Sequence, residues 1–575
     1  MTTVLGISAL DKNVTAALVV DGRIVKVVME ERLTRVKQQA GFPARSIEAL
    51  FRETGLSPRD VDVVTYPFFR WQDEGREKVA GYLADLQNVR RQLGDPPGWI
   101  RHQAYYLGWL GLTTWSHRQW NVALKRGLRE SGLARVPLVH VPHHAAHAAS
   151  AYFCSRFDRA LVATFDWYGS GLGGSVWLGE GGRMRLLKRI PYPHSLGLFY
   201  AQVTKALGFK WSRHEGKVVG LAAFGDPGVL LPKVMERFQQ TEGDFRYLRA
   251  MDFQAAPKLA ARYSREDVAA AYQTALERVV VELLRPYVRQ HDVANVVLAG
   301  GVAANVKLNQ RVHEMDGVHG TFIHPAMGDD GTSVGGALYW LSKQGQGLQP
   351  TPLKDVYLGN GLDARETEAA VRASGLPFEH DEQIERRIAA LVAEGKVVAR
   401  VTGASEYGPR ALGHRSILCS ARDASINDWL NARLQRSEFM PFAPITLYEA
   451  RDACYQRIAG AEHAARFMTI TFDCTAEMRE QAPAAVHVDG TARPQLVERE
   501  VSPGLHALLT EYQRLTGSPS LVNTSFNMHE EPIVASADDA IRTFVQGGLD
   551  YLALDRFLIS RPGGGVSSTP RRAPL

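Results

Sequence analysis

Three short runs of small residues, each closing an apolar strand, constrain this chain more than any other feature: GISALDKNVTAAL near the N-terminus, TFDWYGSGLGG from Thr164 and LAGGVAAN from Leu298. Turns of glycine and small side chains let a backbone approach a phosphate closely and offer it N–H groups. Each run alone is more simply a tight structural turn. Their order is hairpin, hairpin, then a Gly-Gly step from strand into helix, which calls for an α/β architecture in which sheets alternate with crossover helices.

The intervening segments fit that demand. VLGISAL, NVTAALVV, a turn at Asp21-Gly22 and RIVKVVMEE predict a β-meander, and SIEALFRETG a helix. WQDEGREKVAGYLADLQNVRRQLG and the segments that follow to about residue 130 read as helical, VPLVHV as a strand, and Pro142 as a helix start. Strands return at RALVATFD and GGSVWLGEGGRMRLLKRI, followed by the helical ERVVVELLRPYVRQ and the strand ANVVLAGG. The 575 residues exceed a single core, and SKQGQGLQPTPLKD, poor in apolar residues, marks a boundary that gives domains 1–352 and 353–575. Beyond it TEAAVRASG and RRIAALVAEGK predict helices, KVVARVTG a strand and VTGASEYGPRALGHRSIL a polar loop, while the tail GGGVSSTPRRAPL is disordered by composition. No period of 20 to 50 residues is visible, which excludes a solenoid or propeller. In this setting the three turns favour an actin- and sugar-kinase-like fold, with a nucleotide held between two lobes.

Composition removes other classes. With 45% hydrophobic and 22% charged residues the chain is globular. No run of about 18 apolar residues is present, and MTTVLGISALDKNV lacks a signal peptide's pattern, so a cytoplasmic protein without membrane contact is expected. Cys154, Cys419, Cys454 and Cys474 form no CxxC pair, which argues against a disulfide framework or thiolate zinc site. The net charge of +6 arises from 67 basic against 61 acidic residues without a basic run, which suits anionic small substrates better than nucleic acid.

Specific chemistry begins at VPHHAAHAAS, where His143 and His147 stand four apart after Pro142 and share one helix face. Such a pair is more often a capped or surface pair than a metal site; Asp166, at the end of ALVATF, and Asp329, in HPAMGDDGTSVGG, add carboxylates, although Asp329 and Asp330 also fit a helix N-cap. Two imidazoles with carboxylates suit Fe(II), Mn or Zn with open positions. Further on, Glu406, Gly408, Pro409, Arg410 and Arg415 share one polar loop, Arg436 precedes FMPFAP, Arg493 lies in DGTARPQ, and NTSFN carries Asn523, Thr524, Ser525 and Asn527. On their own these are solvated arginines and loop residues.

Together the runs EERLTRVKQQAGFP, HHAAHAASAY, SLGLFYAQVTKALGF, EGKVVGLAAFG, GGVAANVKLN, SEYGPRALGHRSIL, PFAP, TARPQ and LVNTSFN resemble, in order and over nearly the whole chain, the ATP-dependent O-carbamoyltransferases of nodulation-factor and antibiotic tailoring pathways. The resemblance implies an α/β protein with an N-terminal actin/sugar-kinase-like (Kae-like) domain and a C-terminal YrdC-like domain. It implies that carbamoyl phosphate and ATP, with Mg, give carbamoyl-adenylate and pyrophosphate, and that the carbamoyl group then passes to a hydroxyl of a natural-product or antibiotic acceptor. Carried over by position, Fe(II) or another divalent transition metal falls to His143, His147, Asp166 and Asp329. The nucleotide or adenylate falls to Lys217, Gly300, Gly301 and Asn305, and carbamoyl phosphate and the adenylate to Arg410, Arg493 and Ser525, with Arg415, Arg436 and Asn523 as further contacts. A homodimer is compatible with this reading.

Three departures stand out. Lys12-Asn13 replaces the family's His-Asp pair, so Lys12 serves as base only with a lowered pKa. Asp166-Trp167-Tyr168-Gly169 replaces Asp-Gly, bringing two aromatics that reshape the acceptor pocket or simply pack, and the aromatic-rich stretch Trp99 to Trp120 has the same two readings. In LQRSEFMPFAP, Leu434, Ser437 and Met440 stand for a lysine, a glutamate and an arginine, which gives Arg436 more weight. Two other functions compete: a catalytically eroded, actin-like nucleotide- and metal-binding regulator, which the intact GPRALG, NTSFN and histidine pair oppose, and a threonylcarbamoyl-type tRNA-modifying enzyme, which the even charge distribution opposes.

Overall fold

The computed structural model describes residues 1–561 apart from 93–95, 249, 251, 345, 346 and 436–438, and of 84–92 and 96–102 the backbone alone. Arg436 and the tail 563–575 therefore lie outside the described residues. The chain divides into two units: unit 1 comprises Met1–Glu30 and Gln39–Leu353, unit 2 Glu31–Gln38 and Lys354–Leu575. The sequence break at 352/353 lies beside the last crossing, at 353/354; the excursion of 31–38 into unit 2 has no counterpart in the sequence pattern.

Unit 1 holds two five-stranded sheets. In the first, β1 (Thr3–Ser8), β2 (Thr15–Val20) and β3 (Arg23–Met29) form an antiparallel meander, and β4 (Val63–Tyr66) and β5 (Leu138–His140) extend it in parallel from the other side of β1, in the order β3-β2-β1-β4-β5. The second repeats this plan with the meander β6 (Arg159–Gly169), β7 (Leu172–Glu180) and β8 (Arg183–Pro191). A small hairpin, β9 (Phe238–Thr241) and β10 (Asp244–Tyr247), intervenes before β11 (Asn295–Ala299) and β12 (Gly320–Ile323), which lie parallel to β6. A three-stranded meander continued by two parallel crossover strands, built twice, agrees with the actin-like expectation. All six residues of β1 are buried, as a central strand covered on both faces requires.

Between the sheets lie two short helices of small residues, His143–Phe153 and Thr332–Ser342. Every residue of the first is buried. A Cβ at Gly6 would lie 1.9 Å from the Ser333 carbonyl oxygen, and one at Gly335 would lie 1.9 Å from that of Ala146, so β1 and both helices meet backbone to backbone. Among the described residues no helix is long and apolar enough to cross a membrane.

Unit 2 is built on an eight-stranded mixed sheet ordered β13-β22-β21-β14-β15-β20-β16-β19. Its strands are β13 (Phe378–His380), β14 (Val398–Val401), β15 (Arg415–Cys419), β16 (Ala443–Leu447), β19 (Gln495–Val497), β20 (Ser520–Ser525), β21 (Tyr551–Leu554) and β22 (Phe557–Ser560), with β17 (Phe472–Asp473) and β18 (Thr491–Ala492) paired separately. The pairs β14–β21 and β16–β19 are parallel and the other pairings of the sheet antiparallel. The polar loop expected from the sequence joins β14 to β15, and NTSFN ends β20, where Ser416 pairs with Ser525.

Candidate functional site

In unit 1 the helix His143–Phe153 turns two imidazoles to one side, the tail of β6 brings Asp166, and the turn leading into Thr332–Ser342 brings Asp329. One ligand atom from each of the four lies within 4.8 Å of the others. His147 Nε2 is 3.0 Å from Asp166 Oδ2 and 3.5 Å from Asp329 Oδ1; His143 Nε2 is 3.5 Å from both carboxylates and 3.0 Å from His147 Nε2. His143 Nδ1 sits 3.2 Å from the Pro67 carbonyl, a partner that fixes the tautomer and turns Nε2 toward the cluster. Burial disfavours charge on His143, yet its hydrogen bonds with Asp166 and Asp329 push the pKa up to about 10, while the histidines hold Asp166 well below the ordinary carboxylate range against its own burial. Two largely buried carboxylates thus call for two positive charges, which protonated imidazoles supply or which a divalent cation supplies with the imidazoles neutral. The donor set fits a divalent transition metal.

His144 faces elsewhere, to Thr164 Oγ1 at 2.8 Å and the Leu172 carbonyl at 3.3 Å, and burial with the neighbouring His143 and His147 charges lowers its pKa to about 3. Lys12 is half-buried; burial opposes its charge, but Asp329, Asp166, Asp11 and Glu215 outweigh that and raise its pKa. This is the reverse of the lowered pKa that a general-base Lys12 needs. Trp167 packs against Trp211 at a ring separation of 4.9 Å, and Tyr168 donates to Glu74 Oε2 at 2.6 Å and rests 5.2 Å from Trp109. Beside it Lys78 lies over the Trp109 and Tyr168 rings and donates to Thr113 at 3.0 Å. Glu74 and Lys78 stand four apart on a helix, a spacing that reads as an exposed ion pair; both are buried, so sequence reasoning missed them.

Two of the nucleotide candidates, Gly300 and Gly301, lie against the end of β6. A Cβ at Gly300, whose φ is +91°, would fall 2.2 Å from the Phe165 carbonyl oxygen, and one at Gly301 3.0 Å from Asp166 Oδ1. Asn305 caps the following helix through Leu308 N and exchanges amide hydrogen bonds with Gln273. Lys217 is buried in the helix Glu215–Ala222.

In unit 2 the loop 402–414 is braced from within. Glu406 Oε1 accepts the backbone N–H groups of Leu412 (2.7 Å), His414 (2.9 Å) and Arg415 (3.1 Å). The fully buried Arg415 guanidinium donates to the Thr402, His414 and Gly403 carbonyls, so it shapes the loop. Asn523 Nδ2 donates to Ala411 O at 2.9 Å, and Gln495 Nε2 to Leu412 O at 2.8 Å. Arg410, Arg493 and Ser525 are half-exposed side chains of this unit. Arg32, far off in sequence, donates to Gly408 O at 3.0 Å, a contact that no local pattern announced.

Two family models match the chain: the carbamoyltransferase N-terminus over residues 3–338 and the carbamoyltransferase C-terminus over 389–561. Nodulation protein NolNO of Sinorhizobium fredii is 32% identical, over 95% of this chain and 78% of that protein. Nodulation protein NolO of Bradyrhizobium diazoefficiens is 35% identical, over 73% of this chain and 78% of its own length. The HypF of T. kodakarensis aligns with 58% of this chain and 47% of its own at 16% identity and a TM-score of 0.34, a superposition too partial to define a shared fold.

Proposed function

The chain belongs to the carbamoyltransferase family, and on that premise we propose that it is an ATP-dependent O-carbamoyltransferase working in two half-reactions. In the first, a YrdC-like unit 2 takes carbamoyl phosphate, water and ATP to carbamoyl-adenylate: water cleaves carbamoyl phosphate to carbamate and inorganic phosphate, and the carbamate oxygen displaces pyrophosphate from the α-phosphorus of ATP. Arg410, Arg493 and Ser525 hold the phosphoryl and carbamoyl oxygens, on a loop whose shape Glu406, Arg415 and Asn523 fix. In the second, unit 1 seats the adenylate against Gly300, Gly301, Asn305 and Lys217 and passes the carbamoyl group to a hydroxyl of a small natural-product acceptor.

The observation that carries this reading is the convergence of His143, His147, Asp166 and Asp329 within 4.8 Å, in a chain whose cationic loop belongs to the other unit. These four residues would hold a divalent metal, Fe(II) foremost, which supplies Lewis acidity toward the carbamoyl and phosphate oxygens. His143 is oriented for that task by Pro67, and Lys12 adds positive charge beside the carboxylates.

Separating the half-reactions tests the proposal. Asp329→Ala or His143→Ala should abolish transfer of labelled carbamoyl to acceptors in an extract of the source organism, while pyrophosphate release driven by carbamoyl phosphate persists. Arg410→Ala should lose that release. Undiminished transfer by Asp329→Ala, or normal release by Arg410→Ala, refutes the corresponding half.

A further inference from the structure

The segment Glu31–Gln38 belongs to unit 2 although the chain on either side of it builds unit 1. Its basic side chains grip backbone carbonyls. Arg35 donates to Ile533 O (2.7 Å) and Pro532 O (2.8 Å), Lys37 to Glu531 O (3.2 Å) and Arg32 to Gly408 O (3.0 Å). The segment thereby joins the loop before β15 to the loop after β20, the strand pair whose ends carry Arg410 and Ser525.

The two arginines differ in how their charge is met. Arg35 lies 3.2 Å from Asp539 and 3.9 Å from Glu531. Arg32 is only 3% exposed, yet a single hydrogen bond uses one of its five N–H groups, and its Nε is buried without an acceptor. Among the described residues the one carboxylate oxygen within 4 Å is Glu31 Oε1, at 3.8 Å from Nη1, beyond hydrogen-bonding reach, and the other oxygen of Glu31 is taken by Gln38 N at 2.8 Å. Arg415 adds a second fully buried guanidinium to this unit; three of its N–H groups go to carbonyls, against one for Arg32, and its Nε, like that of Arg32, is buried without an acceptor. A guanidinium does not shed its proton when buried, and N–H groups left without acceptors are unfavourable, so such a group calls for an anion with several acceptor oxygens. The family's further cations in the LQRSEFMPFAP run are missing, and Leu434, which replaces one of them, is wholly buried.

We propose that Arg32, carried from the N-terminal sequence into unit 2, binds a phosphoryl oxyanion beside the Gly408–Arg410 turn, its Nη2 holding the turn and its remaining donors facing the anion. The site stands on its own geometry; only the identity of the phosphoryl donor rests on the proposed function.

Calorimetric titration of the full-length protein with inorganic phosphate and with pyrophosphate tests it. Wild type should bind, Arg32→Met should lose at least tenfold in affinity, and Arg32→Lys should lose less. Arg35→Met, stripped of two carbonyl bonds on the same segment, should melt earlier with its affinity unchanged within twofold. No binding by wild type, equal affinity in Arg32→Met, or equal losses in Arg32→Met and Arg35→Met overturns the proposal, the last because a segment that only pins loops is indifferent to which pin is drawn. In steady state, a KM raised in Arg32→Met for carbamoyl phosphate alone assigns the anion to that substrate, and one raised for ATP alone assigns it to the triphosphate. If phosphate affinity depends on Arg32 while wild type never releases pyrophosphate, the site stands and the proposed reaction falls.

Discussion

Replacing Gly335 by alanine tests whether the backbone contact between two helices is what assembles the histidine–carboxylate cluster. The added Cβ would lie 1.9 Å from the Ala146 carbonyl oxygen, 2.7 Å from its carbon and 3.1 Å from Ser150 Cβ. Since C···O contacts settle at about 3.3 Å, the helices must part by roughly 1.4 Å at that point. Overpacking of this kind costs about 1–3 kcal/mol. The same displacement falls between His147, next to Ala146, and Asp329, which leads into the other helix, whereas metal–ligand distances tolerate only about 0.2 Å. Gly335→Ala should therefore lower Tm by on the order of 5 °C and weaken divalent-metal affinity by about 10–100-fold, the range of losses when ligand support is disturbed. Thermal melts with and without chelator, paired with elemental analysis of the purified protein, measure both. Gly336→Ala is the control, because its Cβ would meet only the Thr65 side chain, Oγ1 at 3.2 Å and Cβ at 3.7 Å. Melting and metal content equal to wild type in Gly335→Ala, or equal losses in the two variants, would show that the contact does not set the cluster.

Two further outcomes are expected in unit 2. Glu406→Ala strands three backbone N–H groups of the loop, so urea unfolding should show a loss of roughly 3 kcal/mol or more with reduced pyrophosphate release; an unchanged midpoint would mean the loop holds itself. His414 stacks on Tyr357 at 3.5 Å, and burial, with Arg400 nearby, pushes its pKa down to about 3. Its folded pKa lies below the unfolded value, so its contribution is complete above about pH 6.5 and is lost as pH falls toward 3. His414→Asn, which retains a donor for Ala404 O, should flatten the acid slope of stability by about 1.4 kcal/mol per pH unit, and identical slopes in the two proteins would contradict that.

What could be read in the sequence was what one element decides alone. The four-residue spacing of His143 and His147 behind Pro142 places both rings on one face whatever surrounds the helix, and Asp166 follows from the apolar run before it. Asp329 meets the histidines where Gly335 packs against Ala146, nearly two hundred residues apart, and the runs AAHAAS and SVGGA mark that contact only once the helices are known to cross. The duplicated sheet left no period in the sequence, because strand order and crossover, rather than residue identity, define the repeat. β3 also ends earlier than RIVKVVMEE suggested: it stops at Met29, and Glu30 instead accepts Arg45 N, Ser46 N and Ser46 Oγ at the start of the next helix.

The basic residues show most clearly where motif reading stops. Arg415 and Arg32 both lie in runs that match the family, and charge alone makes either a candidate for an anionic substrate. Arg415 Nη1 and Nη2 donate to three carbonyls within reach of its own loop, so its charge organises the backbone. Arg32 reaches one carbonyl from 376 residues away; the Nε of each arginine is buried without an acceptor, so the difference lies in the Nη donors, one committed in Arg32 against three in Arg415. Net charge and motif membership are identical inputs for the two; what distinguishes a structural arginine from a binding one is the number of donors left once the backbone has taken its share, and only the fold reveals that number.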